Sequence, residues 1–333
     1  ARIDGAELVG FYDPVRERAE RAAEKFGGRA FPTYAALLKA VDGVTLGVPS
    51  GHHAKVGVAA ARAGVHVMSE KPIEVNLAAA KRLVGACREA NVKLGVISQH
   101  RFAPDVRQLK AWADDGTLGT LVAGDASIKW FRTQAYYDSG DWRGTWKLDG
   151  GGCLMNQGVH YIDMIQWIMG GVLAVRAITR TLAHERIEVE DVANVLVEYK
   201  NGAVGVMQGS TAYYPGMAER LEVHGTKGSV IVEADRLKTV ELCETTEDGS
   251  LYGKGVGQQP TPKVTTEGTV AAGAAANPAD LWVEQHRLQI EDWVHAIRDD
   301  RDPFITGEMA MEPLKVILAI YASARRGGAR VLV

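Results

Sequence analysis

The sequence predicts two domains of different class: an α/β domain with a parallel sheet, then an α+β domain with an open, largely antiparallel sheet. Three observations carry this. Through residue 100, short apolar strand patterns alternate with amphipathic helix patterns, the signature of βαβ units. Between residues 172 and 234, strand patterns follow one another with no helix between them. Two helical patterns then close the chain. The expected division falls near residue 100, giving domains of 1–100 and 101–333, and 333 residues suit two domains.

Taken in order, residues 6–13 (AELVGFYD) read as a strand ending in an acid, and 14–27 as a helix with proline at its start and glycine at its end. Residues 33–41 form a short amphipathic helix and 43–50 a strand. A helix over 53–64 is closed by Gly64, a strand follows at 65–70, and Asn76 is placed to cap a helix over 76–91. A strand at 92–100 ends this half. The second half begins with a helix at 105–114 and an alternating strand at 121–133, then a loop rich in aromatics and glycine, then a helix at about 157–169. Strands are expected at 172–184, 191–200, 203–213, 219–224 and 228–234, with Asn201-Gly202 as a hairpin turn. Residues 249–280, rich in Gly, Ala, Thr and Pro, read as a long loop. Helices at about 281–299 and 308–326 and a short strand complete the chain.

Composition narrows the function classes. A net charge of −3 offers no electrostatic footprint for nucleic acid or an anionic membrane. No apolar run approaches the roughly 18–20 residues that cross a bilayer. The opening ARIDGAELVGFYD lacks a basic segment and an apolar core, so secretion is not indicated. Cys87, Cys153 and Cys243 are scattered, which argues against a disulfide framework or a zinc site and fits a reducing cytoplasm; no metal is expected.

One feature of a dinucleotide-binding sheet is missing. Such a sheet opens with a strand and a Gly-x-Gly-x-x-Gly turn, and its second strand ends in an acid that bonds the ribose. Asp13 looks like that acid, yet no strand or glycine turn precedes it. On the usual spacing, the sequence begins about 25 residues into the unit. Either the sequence given is incomplete at its start, or the chain binds such a cofactor poorly.

The alternating half, Glu70-Lys71-Pro72 at a strand end, GGGCLMNQGVHYIDMIQWIMG at 150–170 and the closing helices together resemble the glucose–fructose oxidoreductase / inositol dehydrogenase / rhizopine-catabolism family. The resemblance covers nearly the whole chain. It implies an N-terminal Rossmann domain, a C-terminal domain whose open sheet builds homodimers or homotetramers, and NAD(P)-dependent oxidation or reduction at a hydroxyl of a sugar or polyol. Residue by residue, Lys71 matches the family's catalytic lysine and His160 its catalytic histidine. Asp13 matches the ribose-binding acid, Pro49, Ser50 and His53 the turn near the cofactor, and Glu70 and Lys71 the neighbourhood of the nicotinamide ribose. Where many members carry an aspartate four residues before the histidine, this chain has Asn156, which shifts the expected substrate towards pyranosides.

The chemistry of the residues agrees. Oxidising a secondary alcohol needs a base for the hydroxyl proton and a cation for the developing alkoxide. His160 suits the base and Lys71 the cation, with the roles exchanged if burial lowers the lysine pKa. Asn156 and His160, four apart, are expected on one helix face. Asp163, one turn on, either orients His160 or pairs with a neighbouring base. Asp13 repels a 2′-phosphate and so favours NAD over NADP, although its other reading is an acid favoured at a helix N-terminus and Arg16 and Arg18 lie nearby. The loop 129–152 is the expected substrate surface, with Arg132, Tyr136, Trp142 and Arg143 as candidates because aromatic faces stack on sugars and arginines bond their oxygens. Trp130, Trp142 and Trp146 would otherwise pack the loop onto the sheet. Arg101 is expected to line the cleft, and Gly150 to Gly152 to pack tightly before the helix rather than to cradle a phosphate. Two other readings share these features: a glycosidase that oxidises its substrate transiently with bound NAD, and a non-catalytic sugar-binding relative.

Overall fold

The computed structural model describes residues 3–243 and 283–333. Its first half runs β1 (Gly10–Phe11), α1 (Arg16–Phe26), β2 (Arg29–Ala30), α2 (Tyr34–Leu38), β3 (Gly43–Leu46), α3 (His53–Arg62), β4 (His66–Ser69), α4 (Leu77–Glu89) and β5 (Leu94–Val96). Local chemistry sets the helix ends. The Thr33 hydroxyl accepts from the Ala36 N–H at 3.1 Å, and the Asn76 side chain accepts from the Ala79 N–H at 2.9 Å. Gly27 and Gly64 leave α1 and α3 at φ of 86° and 76°, a region that glycine enters at little cost. All strand pairs here are parallel, in two sheets, β1–β2 and β3–β4–β5. The strand expected over 6–13 shrinks to Gly10–Phe11, because its one partner, β2, is two residues long.

The second half follows with α5 (Pro104–Asp114), β6 (Leu121–Lys129), α6 (Gln134–Asp138), α7 (Val159–Ile168), β7 (Val172–Arg180), β8 (Val192–Tyr199), β9 (Val204–Ser210), β10 (Arg220–Gly225), β11 (Gly228–Glu233) and β12 (Arg236–Leu242). After residues outside the described range, α8 (Val283–Arg298), α9 (Gly307–Arg325) and β13 (Val331–Leu332) close the chain. The strands from β6 onward form one eight-stranded sheet in the order β12-β11-β10-β6-β9-β8-β7-β13. Every pair is antiparallel except β6–β9, which is parallel. The Asn201-Gly202 turn forms as expected, with Gly202 at φ 90° and the Tyr199 N–H donating to the Ala203 carbonyl at 2.8 Å. Alternation is plain on β8: Ala193, Val195, Val197 and Tyr199 are buried while Leu196 is 60% exposed.

Three elements exceed the sequence expectation: α6 within the aromatic loop, β2, and β12, which pairs with β11. The expected strand over 172–184 stops at Arg180. Beyond it, the buried Asp191 carboxylate gathers the N–H groups of Leu182, Ala183 and His184 at 2.8–3.0 Å, which takes the chain out of the ladder. The loop expected at 249–280 lies outside the described residues.

The chain divides into two compact units, Ala1–Ile97 with His286–Met311, and Ser98–Gln285 with Glu312–Val333. A contiguous division assigned both closing helices to the second half; the structure instead packs most of α8 in the first unit. The reason is Trp293, 5% exposed, which lies against Met68 and Ile97. Two strand glycines admit it, since a Cβ at Gly43 would sit 2.6 Å from the indole and one at Gly95 would sit 3.1 Å from it. Gln289 adds a hydrogen bond from its amide to the Val96 carbonyl at 2.7 Å.

Candidate active site

In the first unit, the carboxyl ends of β3 and β4 carry the expected cofactor and lysine positions. The Glu70 N–H still pairs with the Leu46 carbonyl at 3.1 Å, so the chain leaves the sheet at Lys71. Lys71 is half-buried, its N–H donates to the Glu70 carboxylate at 3.2 Å, and its bond to Pro72 is cis. His53, expected in the turn near the cofactor, braces that turn. It is 1% exposed, with Nδ1 2.8 Å from the Pro72 carbonyl and Nε2 2.9 Å from the Val48 carbonyl. It thereby ties the β3 turn, with Pro49 and the buried Ser50, to the Lys71-Pro72 turn. Burial pushes its pKa down while the two carbonyls oppose that shift, and a neutral ring can donate to only one of them.

Asp13 is half-buried just past β1 and accepts the Val15 N–H through Oδ1 at 2.7 Å. Its Oδ2 has no partner among the described residues. Arg16 is engaged by Glu20 at 2.7 Å. An acid with a free oxygen at a strand end, and the Ser50 and Glu70 positions at the ends of β3 and β4, fit the ribose groups of a dinucleotide.

In the second unit, His160 lies on α7, entered through a π-turn at Leu154–Gly158. Asn156 lies within this wider turn, and its amide donates to Asp149 at 2.9 Å. His160 is 8% exposed, and its ring centroid is 4.6 Å from that of His100. His100 is held in turn by Asp235, Nδ1 to Oδ2 at 2.6 Å, and the Tyr161 hydroxyl donates to the other oxygen of Asp235 at 3.1 Å. Glu219 is fully buried near this group. The Trp130 indole approaches it without reaching hydrogen-bond geometry, and burial pushes its pKa up to about 7.

The sequence reading missed His100, Asp235, Tyr161 and Glu219 as a group. Asp235 sits in the β11–β12 turn, 135 residues from His100, so no local pattern could announce it.

Arg101 and Asp163, expected at the substrate, are 1% and 4% exposed and engage each other. The Arg101 Nε donates to Asp163 at 2.7 Å, a second guanidinium nitrogen at 2.5 Å, and the Ser98 hydroxyl adds a third bond. The guanidinium also stacks on Trp167, 4.7 Å from its centroid. Of the two readings of Asp163, the structure selects pairing with a neighbouring base: α7 is pinned to the segment after β5 by a buried ion pair.

The glycines ahead of α7 pack tightly, as expected. A Cβ at Gly151 would lie 2.0 Å from the Tyr321 hydroxyl, and one at Gly152 would lie 1.8 Å from the Glu190 carbonyl. The anion facing these N–H groups is internal: the Glu190 carboxylate accepts from Gly152 at 3.0 Å, Leu154 at 2.9 Å and the Tyr321 hydroxyl at 3.0 Å. Burial pushes the Glu190 pKa up from the ordinary 4.5 to about 7 against these bonds. The folded state therefore holds a proton that the unfolded chain releases. Stability is expected to fall as pH rises from about 4.5 to about 7 and then to level, by about 3 kcal/mol for this group. Thermal melts from pH 5 to 8 should show that slope, and Glu190→Gln should reduce it; an unchanged slope in the variant counts against the assignment.

The aromatic loop gathers Arg132, Tyr136, Trp142 and Arg143. Arg143 stacks on Tyr136 and Trp142, 4.3 and 4.5 Å from their centroids, and donates to the Tyr136 hydroxyl at 2.8 Å. Arg132 stacks on Trp130 at 4.8 Å and lies 5.6 Å from Tyr136. Trp130 is buried under the sheet end, whereas Trp146 is 42% exposed and edge-on to Tyr321.

Among the described residues no helix is long and apolar enough to cross a membrane. Residues 1–98 match the family described as an oxidoreductase family with an NAD-binding Rossmann fold, and residues 106–231 match the GFO/IDH/MocA C-terminal domain. The D-apiose dehydrogenase of Paraburkholderia graminis is 26% identical over 98% of this chain and 83% of its own length. The myo-inositol 2-dehydrogenase of Thermotoga maritima is 29% identical over 75% of each. The WlbA dehydrogenase of Bordetella pertussis, solved with NADH and UDP-GlcNAcA, superposes with a TM-score of 0.82 at 30% identity, covering 99% of this chain and 91% of that one. The chain belongs to the glucose–fructose oxidoreductase / inositol dehydrogenase / rhizopine-catabolism family of NAD-binding oxidoreductases.

Proposed function

We propose that this chain is an NAD-dependent dehydrogenase acting on a secondary hydroxyl of a sugar, cyclitol or sugar derivative, with Lys71 and His160 at the reacting oxygen. The bound nicotinamide supplies a hydride acceptor. His160 takes the hydroxyl proton, and the Lys71 ammonium stabilises the negative charge that develops on the oxygen. The observation that carries the reading is the buried group behind His160. His100, fixed by Asp235 at 2.6 Å, holds the His160 ring by contact, with the two ring centroids 4.6 Å apart. Asp13 and Glu70 serve the ribose hydroxyls, with NAD favoured over NADP, and Arg132, Tyr136, Trp142, Arg143 and Asn156 serve the sugar. The relatives named D-apiose dehydrogenase and myo-inositol 2-dehydrogenase support a polyol or sugar substrate, and the scattered cysteines support a reducing, cytoplasmic setting.

The deciding assay follows NADH absorbance with the purified full chain, NAD and a panel of inositols, hexoses, glycosides and UDP-sugars. Net NADH formation with one of them is expected. Glycoside cleavage without net NADH would establish the transient-oxidation reading instead, and no NAD binding would leave a non-catalytic relative.

We also infer that the open sheet joins copies of the chain into a homodimer or homotetramer. Its outer face exposes Ile178, Leu196 and Val204 at 57–60% on three adjacent strands, an apolar patch of the kind that marks an interface. Light scattering should give a multiple of 35.9 kDa, and Leu196→Glu should shift it towards one chain; a monomeric wild type refutes the inference.

A further inference from the structure

We infer that Arg132 and Arg143 form a cradle for an anionic substituent of the substrate, a carboxylate or phosphate carried by the sugar. This deepens the dehydrogenase reading and rests on it for the word substrate.

The two guanidinium groups share one aromatic platform. Their carbons lie 5.6 and 4.3 Å from the Tyr136 centroid, and each also stacks on a tryptophan, Trp130 for Arg132 and Trp142 for Arg143. Both side chains are half-buried, so water screens their mutual repulsion poorly. Burial holds the Arg132 pKa below its usual range, with Tyr136, Tyr137 and Glu219 opposing the shift and Arg143 adding to it. Arg143 donates to neutral oxygens, the Tyr136 hydroxyl at 2.8 Å and the Ser139 hydroxyl at 3.1 Å. The acids of the same segment are engaged elsewhere or lie in solvent: Asp138 pairs with Arg186 at 2.8 Å, Asp149 accepts from Gly144 and Asn156 at 2.9 Å, and Asp141 is exposed. From outside the segment the buried Glu219 acts on Arg132, and burial pushes its own pKa up to about 7, so it neutralises the pair only in part. Two stacked cations with this surrounding suit an incoming anion. The planar fork of each guanidinium matches a carboxylate or phosphate edge.

The cradle is also tied to the histidine helix. Gln157, three residues before His160, donates its amide to the Tyr136 hydroxyl at 3.0 Å. Gln157 is 5% exposed, and its Oε1 has no partner among the described residues. A buried amide oxygen left open beside the platform is a ready acceptor for a sugar hydroxyl. Aromatic faces, an amide oxygen and two fixed cations describe a site for an acidic or phosphorylated sugar in preference to a neutral one.

The test titrates the full chain by calorimetry with methyl β-D-glucuronoside, glucose 1-phosphate and methyl β-D-glucoside. At least one anionic probe is expected to bind about tenfold or more tightly than the neutral glucoside, with the preference reduced by added salt. Whichever anionic probe is favoured separates a carboxylate from a phosphate as the natural group. Arg143→Met should bring the ratio close to one and Arg143→Lys should retain part of it; Arg132→Gln gives an independent readout if the first variant folds poorly. Equal affinity for anionic and neutral probes, no binding of either anionic probe, or a ratio unchanged in both Arg143→Met and Arg132→Gln overturns the inference. Because the readout is binding, anion selectivity without NADH formation would leave the cradle and sink the dehydrogenase reading. NADH formation with no anion selectivity would do the reverse.

Discussion

Lys71→Ala is expected to lower kcat by about 1,000-fold or more, equivalent to about 4 kcal/mol of transition-state stabilisation, while NAD affinity changes little. The size follows from the role. A cation aimed at a developing alkoxide acts mainly in the transition state, and its loss lowers kcat rather than raising KM alone. NAD affinity should persist because the neighbouring backbone is held independently, by the Glu70 N–H to Leu46 bond and by His53 between Val48 and Pro72. Lys71→Arg is an informative companion, since it keeps the charge but not its compact shape. Calorimetric NAD titration alongside steady-state kinetics separates the two effects. A variant that keeps near-normal kcat on its preferred substrate would remove Lys71 from the mechanism.

Asp163→Ala is expected to destabilise the second unit by about 3–5 kcal/mol, because it strands a buried guanidinium without its carboxylate. Arg101 is 1% exposed, and burial of this depth leaves water no route to replace the lost partner. At about 2–4 °C per kcal/mol for a domain of this size, the melting temperature should drop by roughly 6–20 °C. Asp163→Asn should cost less, since the amide oxygen still accepts one hydrogen bond from the pair. Differential scanning calorimetry measures both. A drop of under about 1 kcal/mol for Asp163→Ala would mean that the pair is solvated rather than buried.

The candidate site shows where sequence reading succeeds and where it stops. Glu70-Lys71-Pro72 was legible because a strand pattern, a lysine and a proline fall in one local stretch. Asn76 was legible as a cap for the same reason: a cap is a contact over three residues, and the Ala79 N–H is its partner. His160 stood out through its glycine-rich approach. Arg101 and Asp163 were found as polar residues near the chemistry, but their burial against each other, 62 positions apart, was not legible locally. The bracing by His53 was likewise illegible, since only the fold reveals that carbonyls 5 and 19 residues away hold both its nitrogens.

The architecture divides along the same line. The parallel sheet of the first unit and the largely antiparallel sheet of the second could be read from the periodicity of apolar residues and from turn signals such as Asn201-Gly202, because both are short-range consequences of backbone geometry. The family membership was readable for a related reason, as its motifs are contiguous. Strand order could not be read. The parallel pairing of β6 with β9, the addition of β12 and the return of α8 to the first unit depend on contacts between segments far apart in the chain. A glycine pair that leaves room for Trp293 decides the last of these. The buried environment of His160, built from His100, Tyr161 and Asp235, belongs to the same class. Residue type and spacing determined which chemistry this chain carries, while burial and long-range pairing, which exist only once the chain has folded, decided which polar groups brace the site and which remain open to a ligand.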